Sequence, residues 1–465
     1  MTNSQANTIW QRTLSEGATE SERYLSKLAR KAFLSFWSYS NPYTDEGGGK
    51  ELCDFLVVFG NDIIIFSDKH CEFSTTKDHD ISWRRWYKSA IYKSSRQLSG
   101  ASSFIERYPE RIYLDPGCKH PLPIPLPSAS KRKIHLVAVT RGSAEASKKY
   151  WGNGSSSSLV INTTINERQH ETYPFMVGWP LKNRQFVHVF DELTLDVLLD
   201  ELDTAPDFIE YLTKKEELLS AKDRDFIIPG EEDLYANYLA HRLDNHQGYS
   251  FSTIPKDEKL ISFEEGMWRK ISSSNAYRLW KSSRKTSYEW DNLIEHQTAH
   301  INNKTAEVLK CDDIHLKDVQ AHEVVLRAMA EERREVRQLL AEAHNHVLTK
   351  EYTTDRLTRM IVIPNRPSRA YIFMALKMPE GHNYETYRLE RRASLMGYCR
   401  AARFRAKGIT EVIGIASEQK SCEILTQDFA FMKFDEKLTC KEIEQEISYL
   451  RAAGIWKDHW STSNV

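Results

Sequence analysis

Hydrophobic positions near the start of the chain follow the period of a helix. After Thr19, apolar residues recur every three or four positions, which is the spacing of a buried helix face. Glu22, three positions beyond Thr19, completes a capping-box pattern. The pattern predicts a helix that ends near Asn41 and Pro42, because the residue before a proline disfavours helix. Its apolar stripe comprises Leu25, Leu28, Ala29, Ala32, Phe33 and Phe36.

The next apolar runs have the character of strands. Residues 52–59 and 62–69 are rich in Val, Ile and Phe on both faces, and only Gly60 and Asn61 separate them. This pattern predicts a hairpin inside a sheet. A helix over 81–107 and a buried strand over 133–140 follow, with a proline-rich extended connector between them. The order helix, strand, strand, helix, strand predicts a compact α/β unit with a mixed sheet.

The rest of the chain predicts further strands and helices, and three domains in all. The expected fold class is α/β, with a first domain over 1–215, a mainly helical region over 216–350 and a smaller α/β domain over 351–465. The charged stretch 214–224 marks the first boundary. The predicted elements are strands near 159–165 and 185–190, a helix near 194–202, a long amphipathic helix at 320–348, strands at 359–363, 370–376 and 410–416, and helices at 383–406 and 440–452.

The composition of the chain excludes some classes of function. Lys and Arg total 64 against 65 Asp and Glu, so the chain is not a polycation that coats nucleic acid, and any such contact must be local. No apolar stretch approaches the ~18 residues of a membrane span, so no membrane partner is expected. The seven cysteines include no CxxC pair, which favours neither a zinc knuckle nor a disulfide framework. We expect a reducing, cytoplasmic location.

The hairpin brings candidate chemistry together. With a two-residue turn at Gly60 and Asn61, Asp54 lies opposite Ser67, and Lys69 projects from the same face. A three-residue turn would instead place Asp68 opposite Asp54. We favour the two-residue turn, because Gly and Asn both tolerate positive φ.

These residue types suit phosphodiester hydrolysis. A carboxylate such as Asp54 can hold Mg²⁺ or Mn²⁺, and an ammonium such as Lys69 can stabilise the developing charge or help to deprotonate water. A second carboxylate would come from Glu22, which continues the inward stripe of the first helix, or from Asp68 in the longer turn. The alternative for Glu22 is a role in the helix cap alone.

An acid-bearing helix, an Asp on one strand and an acid-x-Lys pattern on the next resemble the PD-(D/E)xK nuclease superfamily. The residues that carry the resemblance are Glu22, the stretch Glu51 to Asp54 and the stretch Phe66 to Lys69. The resemblance covers about the first 150–200 residues and implies a restriction-endonuclease-like core over about 15–145. It implies metal at Asp54 with Glu22 or Asp68, catalysis by Lys69, and an orienting role for Gln97.

One departure from the superfamily leaves alternatives open. Ser67 stands where the superfamily usually has Glu or Asp, so Ser67 or Asp68 would complete the metal shell. We expect a Mg²⁺-dependent DNA endonuclease; the alternatives are cleavage of RNA or tRNA, and a nuclease-fold binding or sensor protein that does not cleave. The stretch 49–69 is also similar to bacterial proteins to which phage-defence roles have been ascribed. That similarity implies a phage-derived trigger as a further partner, and the C-terminal region would supply substrate recognition, sensing or self-association.

Several other groups of residues could contact nucleic acid or metal. Cations interleaved with aromatics suit a phosphate backbone and exposed bases, although ordinary amphipathic helices give the same pattern. His296 and His300 have the i, i+4 spacing of zinc ligands, but no third ligand is apparent. The cationic groups are 79–96 (His79, Arg84, Arg85, Lys88, Lys93 and Arg96 among Trp83, Trp86, Tyr87 and Tyr92), 268–290, and the arginines of 383–406.

Overall fold

The computed structural model describes residues 19–76, 78–152, 158–245, 250–252, 257–303, 318–363, 365–419, 426–435 and 438–456. The chain divides into two compact units, Met1–Ser282 and Ser283–Val465. Both combine helices with mixed sheets, which confirms the expected α/β class. In the described part of the chain, no helix is long and apolar enough to cross a membrane.

Helices and strands are interspersed along the first unit. In chain order they are α1 (Glu20–Phe33), β1 (Ser38–Ser40), β2 (Tyr43–Thr44), β3 (Lys50–Glu51), β4 (Phe55–Phe59), β5 (Asp62–His70), α2 (His79–Tyr87), α3 (Lys93–Arg107), β6 (Ile112–Tyr113), β7 (Lys133–Arg141), α4 (Ala144–Tyr150), β8 (Val160–Asn166), β9 (Met176–Trp179), β10 (His188–Asp191), α5 (Glu192–Glu201), α6 (Ala205–Leu219), β11 (Asp225–Ile228), α7 (Glu231–Asn245), β12 (Leu260–Ser262), α8 (Met267–Ser272) and α9 (Asn275–Ser283).

The central sheet of this unit has the strand order β1-β4-β5-β7-β10. The hairpin β4–β5 is antiparallel, whereas β5, β7 and β10 run parallel. Helices α2 and α3 and strand β6 lie between β5 and β7 along the chain. Helix α3 packs on β5 and β7, and α1 packs on β5, where Phe33 contacts Phe66 at 6.1 Å between ring centroids. Strands β4 and β5 are buried on both sides, as their apolar character predicts. A four-stranded sheet, β12-β11-β8-β9, and a small sheet, β3-β2-β6, complete the unit.

Helix α1 begins as predicted but ends early. Thr19 and Glu22 form the capping box. The helix ends at Phe33 rather than near Asn41, because Leu34 takes a φ of 63° and the chain then forms β1 against β4. The predicted helix over 81–107 is present as α2 and α3, joined without a break through a π-helical turn at Lys88–Tyr92.

The second unit is a four-stranded sheet with helices. Its elements are α10 (Ser287–Asn302), α11 (Asp318–Ala330), α12 (Arg334–Thr349), β13 (Arg356–Ile363), β14 (Arg366–Leu376), α13 (Tyr384–Arg405), β15 (Glu411–Glu418), β16 (Gln427–Lys433) and α14 (Cys440–Ala452), and the sheet order is β13-β14-β15-β16. The helix expected over 320–348 is two helices, and β16 was not expected.

The structure places the division of the chain at 282/283 rather than near 215. The stretch 214–224 includes the end of α6, and Lys215 is a buried partner of Glu231 on α7. The predicted helical region is also divided, since Trp290 of α10 packs on Tyr371 of β14 at 5.5 Å between ring centroids. The boundary was predicted from the many charged residues of 214–224, but Lys215 in that stretch is buried in the core of the first unit. Within the predicted first domain, residues 1–18 and 153–157 lie outside the described residues.

Candidate active site

The β4–β5 hairpin fixes the register on which the predicted site depends. Phe55 pairs with Phe66 and Phe59 with Asp62, so Gly60 and Asn61 form a two-residue turn. Gly60 has a φ of 60°, which the turn requires. The prediction of the shorter turn is confirmed, and in this register Asp54 comes opposite Ser67.

Asp54 is a buried carboxylate with an ammonium beside it. It is 5% exposed, and its Oδ2 lies 3.6 Å from the Nζ of Lys69. The backbone N–H of Asp68 donates to the same oxygen at 2.5 Å. Burial raises the pKa of Asp54 and the charge of Glu22 raises it further, whereas Lys69, the Asp68 N–H and Ser67 lower it. The structure thus brings together Asp54 and Lys69, the pair at the centre of the sequence prediction.

Asn41 links two further carboxylates to this pair. Its Nδ2 donates to Glu51 Oε1 at 2.9 Å and to Glu22 Oε2 at 3.3 Å. Its backbone N–H donates to the carbonyl of Asp54 at 3.0 Å. Asn41 has a φ of 46°, a left-handed conformation that Asn tolerates better than most residues. We refer to Glu22, Asn41, Glu51, Asp54 and Lys69 as the acid cluster.

Glu22 serves both of the roles that the sequence left open. Its Oε2 accepts the N–H of Thr19 at 3.4 Å, which closes the helix cap, and the same oxygen accepts from Asn41. Its charge also acts on the pKa of Asp54 and of Glu51. The capping role and the site role are therefore compatible.

The electrostatics of the acid cluster favour a bound cation. Burial raises the pKa of Glu51, the hydrogen bond from Asn41 lowers it, Asp54 and Glu22 raise it, and Lys69 lowers it. The three carboxylates of the acid cluster therefore repel one another, and that of Asp54 does so while buried, whereas Glu22 is half-buried and Glu51 is exposed. A divalent cation there would offset that repulsion.

The donor atoms of the acid cluster also fit Mg²⁺. All are oxygens, and Asn41 offers a buried Oδ1 that has no hydrogen-bond partner among the described residues. Within those residues the carboxylates of the cluster do not form a set of three ligand atoms within 4.8 Å of one another. Mg²⁺ commonly uses one or two carboxylates and keeps several waters, so this spread suits it better than it suits a fully protein-ligated ion. Bound there, the ion would neutralise a phosphate and polarise a water.

Asp68 does not join the acid cluster, so the longer-turn alternative is wrong. Its side chain is buried against Arg141, whose Nε lies 3.2 Å from Oδ1. It shares the strand face of Phe66, which packs toward α1. Burial raises the pKa of Asp68 and Arg141 lowers it. Ser67 is fully buried.

Two clefts border this part of the molecule. One, of about 880 Å³, has four arginine and lysine side chains in its lining against two acidic ones, and Arg23 and Lys27 are exposed. The other, of about 460 Å³, lies beside α3 and brings Gln97 close to Glu51. The first cleft is lined by Glu20, Ser21, Arg23, Tyr24, Ser26, Lys27, Arg30, His70, Arg141 and Asp196.

The aromatic residues of α2 are core residues, not a base-stacking surface. Trp83, Trp86 and Tyr87 are at most 3% exposed and pack with Phe175. The expectation that these rings would meet exposed bases is therefore wrong. The cations between them do face solvent, namely Arg84, Arg85, Lys88, Lys93 and Arg96.

The cationic groups farther along the chain are largely engaged within the protein. On α13, Arg391 is buried between Glu418 and Asp428, and Asp428 also binds Arg388 and Arg392. The charges of this group therefore stabilise the second unit rather than form an open basic surface.

Between 268 and 290, Lys281 pairs with Glu201 at 2.7 Å, and Lys270 pairs with Glu264 at 3.1 Å. His296 and His300 contact each other, with 3.2 Å between their Nε2 atoms. No third ligand joins these two histidines among the described residues.

Sequence reasoning assigned no role to Glu51 and Asn41. The spacing from Glu51 to Asp54 could have suggested that two acids meet at one end of the hairpin. Nothing in the sequence pairs Asn41 with Glu22, because that contact depends on where α1 ends. Comparisons with protein-family models, with curated proteins and with solved structures found no match for this chain.

Proposed function

We propose that the first unit binds Mg²⁺ or Mn²⁺ at the acid cluster and hydrolyses phosphodiester bonds, with DNA as the preferred substrate. The observation that carries the proposal is the buried Asp54 carboxylate, 3.6 Å from Lys69 and in the electrostatic field of Glu22 and Glu51. Burial of a carboxylate is costly, and at Asp54 one ammonium, that of Lys69, stands against the charges of three carboxylates. A bound cation explains this arrangement better than packing does.

The proposed role of each residue follows from its contacts. Asp54 would be the principal metal ligand, and Glu51 or Glu22 would hold the ion directly or through water. Lys69 would stabilise charge on the phosphate or help to deprotonate the attacking water. The cationic cleft beside α1 is suited to the phosphate backbone on either side of the scissile bond. A phosphate backbone is common to DNA and RNA, so RNA is tested beside DNA.

Cleavage can be tested with supercoiled plasmid and a structured RNA, each with Mg²⁺ or Mn²⁺. We expect the wild-type protein to nick the plasmid and Glu51→Gln to lower the rate by about 10-fold or more. Glu46→Gln is the matched control, since Glu46 is exposed and lines the same cleft as Glu51 but is not part of the acid cluster. Equal rates for the two variants would remove Glu51 from the site, and no metal-dependent cleavage of either substrate would overturn the proposal.

A second candidate is a nuclease-fold protein that binds nucleic acid without cutting it. Two observations favour it: a serine, Ser67, occupies the position of an expected acid, and Lys69 already lies beside Asp54. This candidate predicts plasmid binding without nicking, and equal binding by the wild-type protein and by Asp54→Asn.

A further inference from the structure

Two buried histidines and a glutamate meet on the first unit, away from the acid cluster. His135 lies on β7, His188 on β10 and Glu216 on α6. One ring nitrogen of each histidine and a carboxylate oxygen of Glu216 all lie within 4.8 Å of one another. Both histidines are 1% exposed, and Glu216 is half-buried.

This group is distant from the acid cluster along the sheet. His135 pairs with Ile64 of β5, whereas Lys69 pairs with Thr140, five residues farther along both strands. At the rise of a strand, five residues span about 16 Å. The two groups therefore do not share a ligand.

The hydrogen bonding of the histidines leaves donor atoms unused. Nδ1 of His135 and Nδ1 of His188 are buried and have no partner among the described residues. An unsatisfied buried polar atom costs roughly 1–3 kcal/mol, so two together need an explanation. A bound metal ion would satisfy them.

Asp62 supplies an outer partner of the kind that metal-binding histidines have. Its Oδ1 lies 2.8 Å from Nε2 of His135, which leaves Nδ1 of that ring for a ligand. Such a carboxylate fixes the tautomer and orientation of a ligating imidazole and raises its basicity. The bond thus orients His135 for a metal on its other side.

The surrounding charges permit a cation. The ring of His188 is 1% exposed, and burial favours the neutral form that a metal ligand must have. Lys215 is paired with Glu231, and Lys133 donates to Thr213 Oγ1 at 3.0 Å. The local carboxylates are those of Asp62, Glu216 and Glu231, and the local ammoniums are those of Lys133 and Lys215. The negative charges therefore outnumber the positive ones.

We infer that His135, His188 and Glu216 form a binding site for one Zn²⁺, which ties β7 and β10 to α6. Two imidazole nitrogens and one carboxylate oxygen are a ligand set that zinc accepts, with water in the fourth position. Tetrahedral zinc holds its ligand atoms about 3.3 Å apart, so atoms that now lie up to 4.8 Å apart would move closer by at most about 1.5 Å. Rotation of the half-buried Glu216 side chain can supply much of that movement.

The test is Zn²⁺ titration of the full-length protein after chelator treatment, with metal content measured directly and Co²⁺ used as a spectroscopic probe. We expect one Zn²⁺ per chain, a rise in melting temperature on binding, and visible absorption from four-coordinate Co²⁺. His188→Ala and Glu216→Gln should each weaken Zn²⁺ binding by about 100-fold or more, and Asp62→Asn by about 10–100-fold. If His188→Ala does not fold, Glu216→Gln still decides, because that side chain is half-buried.

Two matched controls make the result specific. His344→Gln removes another buried histidine whose Nε2 has no partner among the described residues, and it should bind Zn²⁺ as the wild type does. Asp54→Asn should also leave Zn²⁺ binding unchanged, which separates this site from the acid cluster. Zn²⁺ binding that survives Glu216→Gln and Asp62→Asn unchanged, that is lost in Asp54→Asn, or that does not occur at all would overturn the inference.

Discussion

Replacing Asp54 by Asn should separate the chemistry of the acid cluster from the stability of the fold. The amide has the shape of the carboxylate, and its oxygen can still accept the N–H of Asp68, which lies 2.5 Å from Oδ2. The substitution removes the attraction of Lys69 at 3.6 Å, which is about 5 kcal/mol at an effective dielectric constant of about 20. Lys69 is a third exposed, so solvent screening reduces this to about 1–2 kcal/mol.

The loss of the attraction between Asp54 and Lys69 is offset by a lower cost of burial. The carboxylate of Asp54 is 5% exposed, and an amide at that place no longer carries the cost of a buried charge. The free energy of unfolding should therefore change by no more than about 1 kcal/mol, and the melting temperature by no more than about 4 °C. Mn²⁺ affinity should fall by about 100-fold or more, and plasmid nicking should disappear.

Asp68→Asn is the matched comparison, because Asp68 is an equally buried acid on the neighbouring strand. It leaves Arg141, whose side chain is 12% exposed, without its carboxylate partner. We expect the unfolding free energy to fall by about 3 kcal/mol, while metal affinity and nicking are retained at temperatures where the variant is folded. Calorimetry with Mn²⁺, thermal unfolding and a nicking assay on both variants measure the contrast. Unchanged metal affinity in Asp54→Asn, or loss of nicking in a folded Asp68→Asn protein, would refute the reasoning.

Three further predictions concern Lys69, the division of the chain and His170. Lys69→Ala should slow cleavage by about 100-fold while Mn²⁺ affinity stays within a few-fold, measured by single-turnover kinetics and calorimetry; a parallel loss of metal would contradict a role in charge stabilisation. A fragment of residues 1–282 should unfold cooperatively and a fragment of residues 1–215 should not. The shorter fragment ends within α6 and lacks Glu231, the buried partner of Lys215. If circular dichroism shows that the shorter fragment is stably folded, the division at 282/283 is contradicted. Burial lowers the pKa of His170 to about 4 from its usual 6.5, so the folded protein should lose stability as pH falls through that interval, by about 3 kcal/mol in full, with none lost above it. His170→Gln should flatten the pH dependence of the unfolding midpoint, and an unchanged slope would count against the assignment.

The sequence by itself determined the local features of this protein. The cap at Thr19, the turn at Gly60 and Asn61, and the apolar strands on either side all follow from interactions between residues a few positions apart. Turn chemistry also decided the face on which Asp54 and Lys69 meet, because a hairpin's register depends on the length of its loop.

Tertiary structure alone decided what surrounds those residues. Hydrophobic periodicity indicates which face of a helix or strand is buried, but not which element packs against that face. The link from Asn41 to Glu22 and Glu51 depends on α1 ending early and β1 pairing with β4. The burial of the α2 aromatics, the division of the chain at 282/283 and the meeting of two histidines with Glu216 likewise depend on contacts between residues far apart in sequence, which no local pattern encodes.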